Sequence, residues 1–186
     1  MALLCAAVAI IIQQRYNEVK KEGFALYRIR NASIEDLPRI LNIYAYARDF
    51  MARNGNPNQW GKTNPPEAQL RLDIAREKLY VVCDEERICG VFFFELGEDP
   101  TYAVIEYGKW SWDTPYGTIH RIASDGSGGV LKAAVAFCEK ISSHLRIDTH
   151  GDNRIMQRAV EKLGFRRCGI IYVSDGSPRI AYERMK

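Results

Sequence analysis

Between Ile147 and Phe165 the chain reads Ile-Asp-Thr-His-Gly-Asp-Asn-Arg-Ile-Met-Gln-Arg-Ala-Val-Glu-Lys-Leu-Gly-Phe. No other stretch restricts the fold as much. A strand ends at Asp148 and a polar turn follows. Asp152 or Asn153 can cap a new helix by accepting its free backbone N–H bonds. Ile155, Met156, Ala159, Val160 and Leu163 then fall on one apolar stripe at helical spacing. Gly164 can adopt the left-handed conformation that stops the helix, and Phe165 opens the next strand. The segment is a strand–helix–strand unit.

Around it the chain divides into alternating elements. Ala25 to Arg30 reads as a first strand. Ser33 caps a helix that carries Leu37, Ile40, Leu41, Tyr44, Ala47 and Met51 on one face; Pro38 falls near its start, where a lost N–H costs least. Arg53 to Pro66 is a long loop rich in Asn, Gly and Pro, with Trp60 in its middle. Glu67 to Lys78 is a second helix. Leu79 to Asp84 and Ile88 to Glu95 form a hairpin around Asp84–Arg87. Tyr102 to Tyr107 is read as a further strand, Lys109 to Tyr116 as an aromatic loop, and Gly117 to Ser124 as a strand. Asp125–Gly129 is a flexible connection to a helix over Val130 to Ile141. Two last strands, Phe165 to Val173 and Arg179 to Arg184, turn at Asp175-Gly176. This order implies a mixed sheet with helices on both faces, an α/β (mixed α+β) fold.

The sequence of 186 residues suits one domain, preceded by an extension. Ala2 to Ile12 is continuously apolar, too short to span a bilayer and without the basic start and cleavage site of a signal peptide. It is expected as a helix docked on the body or a loose tail. A membrane tether is a further option, which deletion of residues 1–25 would test. Lys21-Glu22-Gly23 can be encoded by a ribosome-binding sequence and Leu26 by a TTG start, so a functional start near Leu26 stands as an alternative. The division is thus 1–25 extension and 26–186 domain.

A net charge of +3 with no Lys/Arg block argues against nucleic acid. The histidines lack metal spacing, so no metal is expected. The five cysteines, Cys5, Cys83, Cys89, Cys138 and Cys168, are odd in number and contain no Cys-x-x-Cys. They read as reduced thiols of a cytoplasmic protein.

The Asn153–Phe165 segment, with its Glu161-Lys-Leu-Gly-Phe165 ending, resembles the second half of the acetyl-CoA site in GNAT-type (GCN5-related) N-acetyltransferases. The likeness extends over nearly all of Tyr27 to Met185. It implies a mixed, mostly antiparallel sheet flanked by helices on both faces, with acetyl-CoA as cosubstrate. The strand residues Ile122, Ala123 and Ser124 would offer backbone hydrogen bonds to the pantetheine arm, and a bulge there would splay two parallel strands. The loop and helix start Gly126, Ser127, Gly128, Gly129, Val130 and Leu131 would hold the pyrophosphate through backbone N–H groups. Compared with the family's Arg/Gln-x-x-Gly-x-Gly/Ala, Gly129 matches, Gly126 replaces the basic or amide residue, and Leu131 replaces a small one. Asn153 would contact pantetheine, cap its helix, or do both. The family's frequent acid tyrosine is here Val160; water or Tyr172 is the substitute.

Acyl transfer to an amine needs a group to accept its proton. His120 is the leading candidate because imidazole titrates near neutrality; Glu106 competes, with Asp148 and His150 third. Side chains 118, 120, 122 and 124 are expected on one strand face. Trp60 and Trp110 are candidates for the acceptor pocket, and each could instead seal a core edge. The Gln59-Trp60 loop with Ile119–Ser124 is similar to a bacterial branch of the family. The expected activity is direct transfer of acetyl from acetyl-CoA to a primary amine of a small molecule or peptide. A homodimer is compatible with this reading, and no membrane partner is expected. The alternative is a non-catalytic module that binds an acyl-CoA or a partner.

Overall fold

The computed structural model describes residues 18–20 and 26–186. The apolar stretch Ala2 to Ile12, Cys5 and the start of the expected first strand lie outside them. Eight strands form one sheet: β1 (Glu18–Lys20), β2 (Leu26–Asn31), β3 (Leu79–Asp84), β4 (Arg87–Leu96), β5 (Gly117–Ser124), β6 (His144–Thr149), β7 (Arg166–Tyr172) and β8 (Pro178–Met185). Their spatial order is β1-β2-β3-β4-β5-β6-β8-β7. Only β5 and β6 pair in parallel; the other neighbours are antiparallel. The helices are α1 (Leu37–Arg53), α2 (Glu67–Ala75), α3 (Val130–Cys138) and α4 (Arg154–Lys162). Among the described residues, no helix is long and apolar enough to cross a membrane.

Two cores follow from strand alternation. On one face, Leu37, Ile40, Ile43 and Tyr44 of α1 and Leu70 and Ile74 of α2 cover Val81, Cys83, Val91 and Phe93. On the other, Val130, Ala134, Phe137 and Cys138 of α3 and Val160 of α4 cover Val82, Phe92, Ile119, Ile147 and Tyr182. Each large side chain sealed in this way contributes about 1.5–3 kcal/mol. The expected mixed sheet with helices on both faces is what forms.

Ser33 is the N-cap as expected: in a capping box the Asp36 carboxylate accepts the Ser33 N–H at 2.8 Å, and also the Arg30 guanidinium at 2.6 Å, across a 3-10 turn over Ile34–Asp36 that leads into α1. Two local expectations are corrected. Helix α2 ends at Ala75 because Glu77 takes φ 56° and the Lys78 N–H turns back to the Asp73 carbonyl at 2.9 Å. The segment from Tyr102 to Tyr107 is not a strand. Asp99 accepts the Thr101 N–H at 2.8 Å and starts a 3-10 turn over Pro100–Tyr102, leaving a single bridge, Glu106 to Ile170. Pro100 has no N–H to give a ladder, and a local Asx turn wins.

Candidate active site

The site begins where two strands stop pairing. β5 and β6 are joined at Gly117–Leu145, Thr118–Arg146 and Ile119–Ile147, and then separate. The cause lies on the other side of β5. His120 pairs with Phe93 and Ala123 with Val91, so Arg121 and Ile122 together oppose Phe92. The extra residue is Arg121, at φ 50°. A left-handed conformation at a non-glycine residue is strained and has to be held by its surroundings. The Tyr44 hydroxyl donates to the Arg121 carbonyl at 2.8 Å. The Arg121 guanidinium bonds the buried Asp73 carboxylate at 2.7 Å and stacks over Phe93 at 4.4 Å. The bulge reverses alternation: Ile122 packs with Ile119 on the α3 face, while Ala123 joins the α1 core. Side chains 118, 120, 122 and 124 therefore do not share one face.

The separation opens a cleft of about 890 Å³. Ile122, Ala123 and Ser124 line it, as do Gly126, Ser127, Gly129, Val130 and Leu131. Gly126 (φ 97°) and Gly129 (φ 83°) are left-handed, which glycine alone adopts readily. Gly129 precedes α3 without a side-chain cap, so the first N–H groups of the helix have no intrahelical acceptor. The loop is braced from below. Tyr27 donates to the Gly128 carbonyl at 2.6 Å, and Asp125 accepts Ser127 N–H and hydroxyl bonds while paired with Arg39 and Arg87. A Cβ at Gly128 would meet nothing within 4 Å. An anion-binding helix start beside a strand gap fits a long pyrophosphate-bearing thioester. Leu131 sits among these residues and leans partly into the core.

Asn153 both caps and lines the cleft. Its Oδ1 accepts the Met156 N–H at 3.1 Å, and its Nδ2 donates to Gln59 Oε1 at 2.9 Å. Gln59 belongs to the Asn-rich loop, which also places Trp60 on the cleft, its ring edge-on to Tyr44 at 5.5 Å.

His120 lies at the start of the gap. Its Nε2 is 2.6 Å from Asp99 Oδ2 and its Nδ1 is 3.4 Å from Asp148 Oδ1, which also accepts the Tyr102 hydroxyl at 2.8 Å. Burial by itself would lower the imidazole pKa, but hydrogen bonds to Asp148 and Asp99 outweigh it and raise it to about 9. Asp99 is pushed up by burial and pulled down further by His120 and Thr101, to about 2. At neutral pH the cluster therefore holds an imidazolium between two carboxylates, rather than the neutral imidazole a base requires.

Other candidates fall elsewhere. Glu106 is exposed on the far edge, where the Tyr172 hydroxyl donates to it at 2.9 Å; neither residue lines the cleft. Trp110 also lies off the cleft: it donates to the Tyr102 carbonyl at 3.1 Å and stacks on the Arg146 guanidinium at 3.9 Å. His150 faces Asp152 at 3.5 Å, outside the lining. Val160 is 1% exposed, within the core. Sequence reasoning missed Asp99, Gln59, Arg121 and Arg179, all on the cleft. Asp99 had a signal, since Asp-Pro-Thr is an Asx-turn pattern; Gln59 and Arg121 stood in the family-like Gln59-Trp60 and Ile119–Ser124 segments without a role assigned to them, and Arg179 had no signal.

No family model and no curated relative matches the chain. Solved structures do. A GNAT-family acetyltransferase from Streptococcus agalactiae superposes with a TM-score of 0.78 at 27% identity, over 86% of this chain and 95% of that one. A GNAT-family acetyltransferase from Listeria monocytogenes gives 0.62 at 16% identity, over 91% and 100%. A ribosomal-protein-alanine N-acetyltransferase from Brucella melitensis gives 0.54 at 13%, over 85% and 99%; these last two speak to the fold alone. By fold and sheet topology this chain resembles the GNAT-type N-acetyltransferases, which supports an acetyltransferase function at that general level.

Proposed function

We propose that the protein transfers the acetyl group of acetyl-CoA to a primary amine in a ternary complex. The observation that carries this is His120 between Asp99 and Asp148 at the mouth of the strand gap. Acetyl-CoA supplies an activated thioester. Gly126 to Leu131 would hold its pyrophosphate, Ile122 to Ser124 its arm through backbone bonds, and Asn153 its amides.

An incoming ammonium brings a second positive charge to Asp99 and Asp148. Like-charge repulsion then lowers the His120 pKa and releases the imidazolium proton to solvent. The neutral imidazole accepts the ammonium proton, directly or through water, and the amine attacks. The new N–C bond replaces the C–S bond, and the second amine proton passes through water to the departing thiolate. A backbone N–H of β5, left unpaired by the strand gap, can stabilise the oxyanion. No side-chain acid is assigned, because Val160 has none and Tyr172 lies with Glu106.

Burial of Cys83, Cys89, Cys138 and Cys168 as free thiols supports a cytoplasmic setting. The competing reading, a module that binds acyl-CoA without turnover, draws on Val160. Thiol release from acetyl-CoA across an amine panel, run beside direct CoA titration, separates the two. CoA binding with no thiol release for any amine would leave only the binding module.

A further inference from the structure

Arg179 is the second residue of β8 and is only 8% exposed, yet it lines the cleft. Its Nη1 donates to Ser177 Oγ at 2.9 Å and to the Pro178 carbonyl at 3.0 Å, both neutral acceptors. Among the described residues no carboxylate forms an ion pair with it. Asp175, close in sequence, is exposed, accepts the Ser177 N–H and hydroxyl, and feels the charge of Arg179 through space without a direct ion pair. Of the other cations that line the cleft, Arg121 is paired with Asp73 and Lys78 with Glu95, while Arg76 is exposed to solvent. A guanidinium does not lose its charge in a protein, and a buried charge is costly unless paired. Arg179 is therefore a buried cation whose direct contacts are all neutral, a position that a ligand anion can take.

The register says where that anion stands. Asp148 pairs with Ala181, and Arg179 is two residues from Ala181, so it shares the face of Asp148. Diagonal neighbours of this kind have Cα atoms roughly 7–8 Å apart. One wall of the cleft thus carries two carboxylates beside His120 and, a short step along β8, an unmatched cation. Those are the complements of the two ends of one small zwitterion.

We infer that the acceptor is a free amino acid or a close analogue, its ammonium at Asp99 and Asp148 and its carboxylate on Arg179. This rests on the acetyl-transfer reading above and narrows its acceptor. A guanidinium binds a carboxylate in bidentate fashion and discriminates strongly for it. Amines without a carboxylate leave Arg179 buried and unmatched.

The test uses matched pairs: L-phenylalanine with phenethylamine, L-leucine with isopentylamine, and L-lysine with cadaverine. Each is titrated calorimetrically against the full chain with CoA bound, and each is assayed for thiol release from acetyl-CoA. At least one amino acid is expected to bind, and to give kcat/KM, about 10–100-fold better than its decarboxylated partner. Arg179→Met should abolish that ratio, acting on KM more than kcat, while the amine's constants and CoA affinity stay as they were. Arg179→Lys should retain part of it and guards against misfolding. The inference is overturned if no amino acid exceeds its amine, absence of binding by all members included. It is equally overturned if Arg179→Met weakens both members alike or weakens CoA instead. Preferential amino-acid binding without thiol release would sustain the zwitterion site and reject acetyl transfer. Acetylation of amines with no preference for the carboxylate would do the reverse.

Discussion

His120 Nε2 sits 2.6 Å from Asp99 Oδ2, although the two residues are 21 apart in sequence, one in β5 and the other at the start of an Asx turn. With Asp148 on the other nitrogen, this contact sets the charge state of the cleft. The pH dependence of transfer should follow it. In the free protein kcat/KM for an amine should rise with pH through about 9. Asp99→Asn removes one carboxylate and should shift that limb to lower pH. His120→Ala should lower turnover about 10²–10⁴-fold with little change in CoA affinity. Glu106→Gln, which alters a residue off the cleft, should change neither. A limb that stays in place in Asp99→Asn would remove His120 from the role.

The same shift makes a stability prediction. The folded-state pKa of His120 is raised above the unfolded value of 6.5. Its contribution is fully present below pH 6.5 and is lost as pH rises through about 9. The amount is on the order of 3 kcal/mol at most. Denaturant melts at pH 6 and pH 10 should show less of this loss in His120→Gln than in the native chain.

Asn153 has separable duties. Asn153→Ala removes both the acceptor for Met156 N–H and the Nδ2 donor. It should cost about 1 kcal/mol of stability and weaken CoA. Asn153→Asp keeps the cap and loses the donor, so it should keep its melting temperature and still lose CoA affinity. Calorimetric titration well below melting checks this; unchanged affinity in both variants would confine Asn153 to capping.

The glycine loop offers an internal control. Gly129→Ala forces a side chain into φ 83° and should cost about 1–2 kcal/mol. Gly126→Ala adds a contact at 2.7 Å to the Tyr46 hydroxyl. Gly128→Ala meets nothing within 4 Å and should leave stability unchanged. A fall in CoA affinity for Gly128→Ala at constant melting temperature would mean that the pyrophosphate approaches this turn. No effect of any of the three on CoA would place it elsewhere.

The two tryptophans should part company. Trp110→Ala opens the stack that holds Arg146 between Trp110 and Tyr116, each at 3.9 Å, and should destabilise by roughly 3 kcal/mol with acceptor KM unaltered. Trp60→Ala, on the cleft wall, should raise acceptor KM. Melting curves and steady-state kinetics on both variants distinguish structural from binding roles.

Local signals and distant contacts divide the account of this protein. Periodicity, caps and turn residues by themselves located β3, β5, α4 and the glycine turn before α3, because each rests on neighbours a few residues apart. The motif around Asn153 and Gly129 likewise picked out residues that line the cleft. What sequence could not carry was the pairing of groups far apart in the chain. The bulge that separates β5 from β6 depends on Tyr44 and Asp73 holding Arg121. The charge of His120 depends on Asp148 and Asp99, and Glu106 lies on the far edge against Ile170 and Tyr172. Arg179 reads as an ordinary strand residue until the sheet buries it with only neutral groups in direct contact. Burial and long-range charge pairing arise only once strands are in register, so only the tertiary structure decided which titratable groups face the cleft and in what charge state.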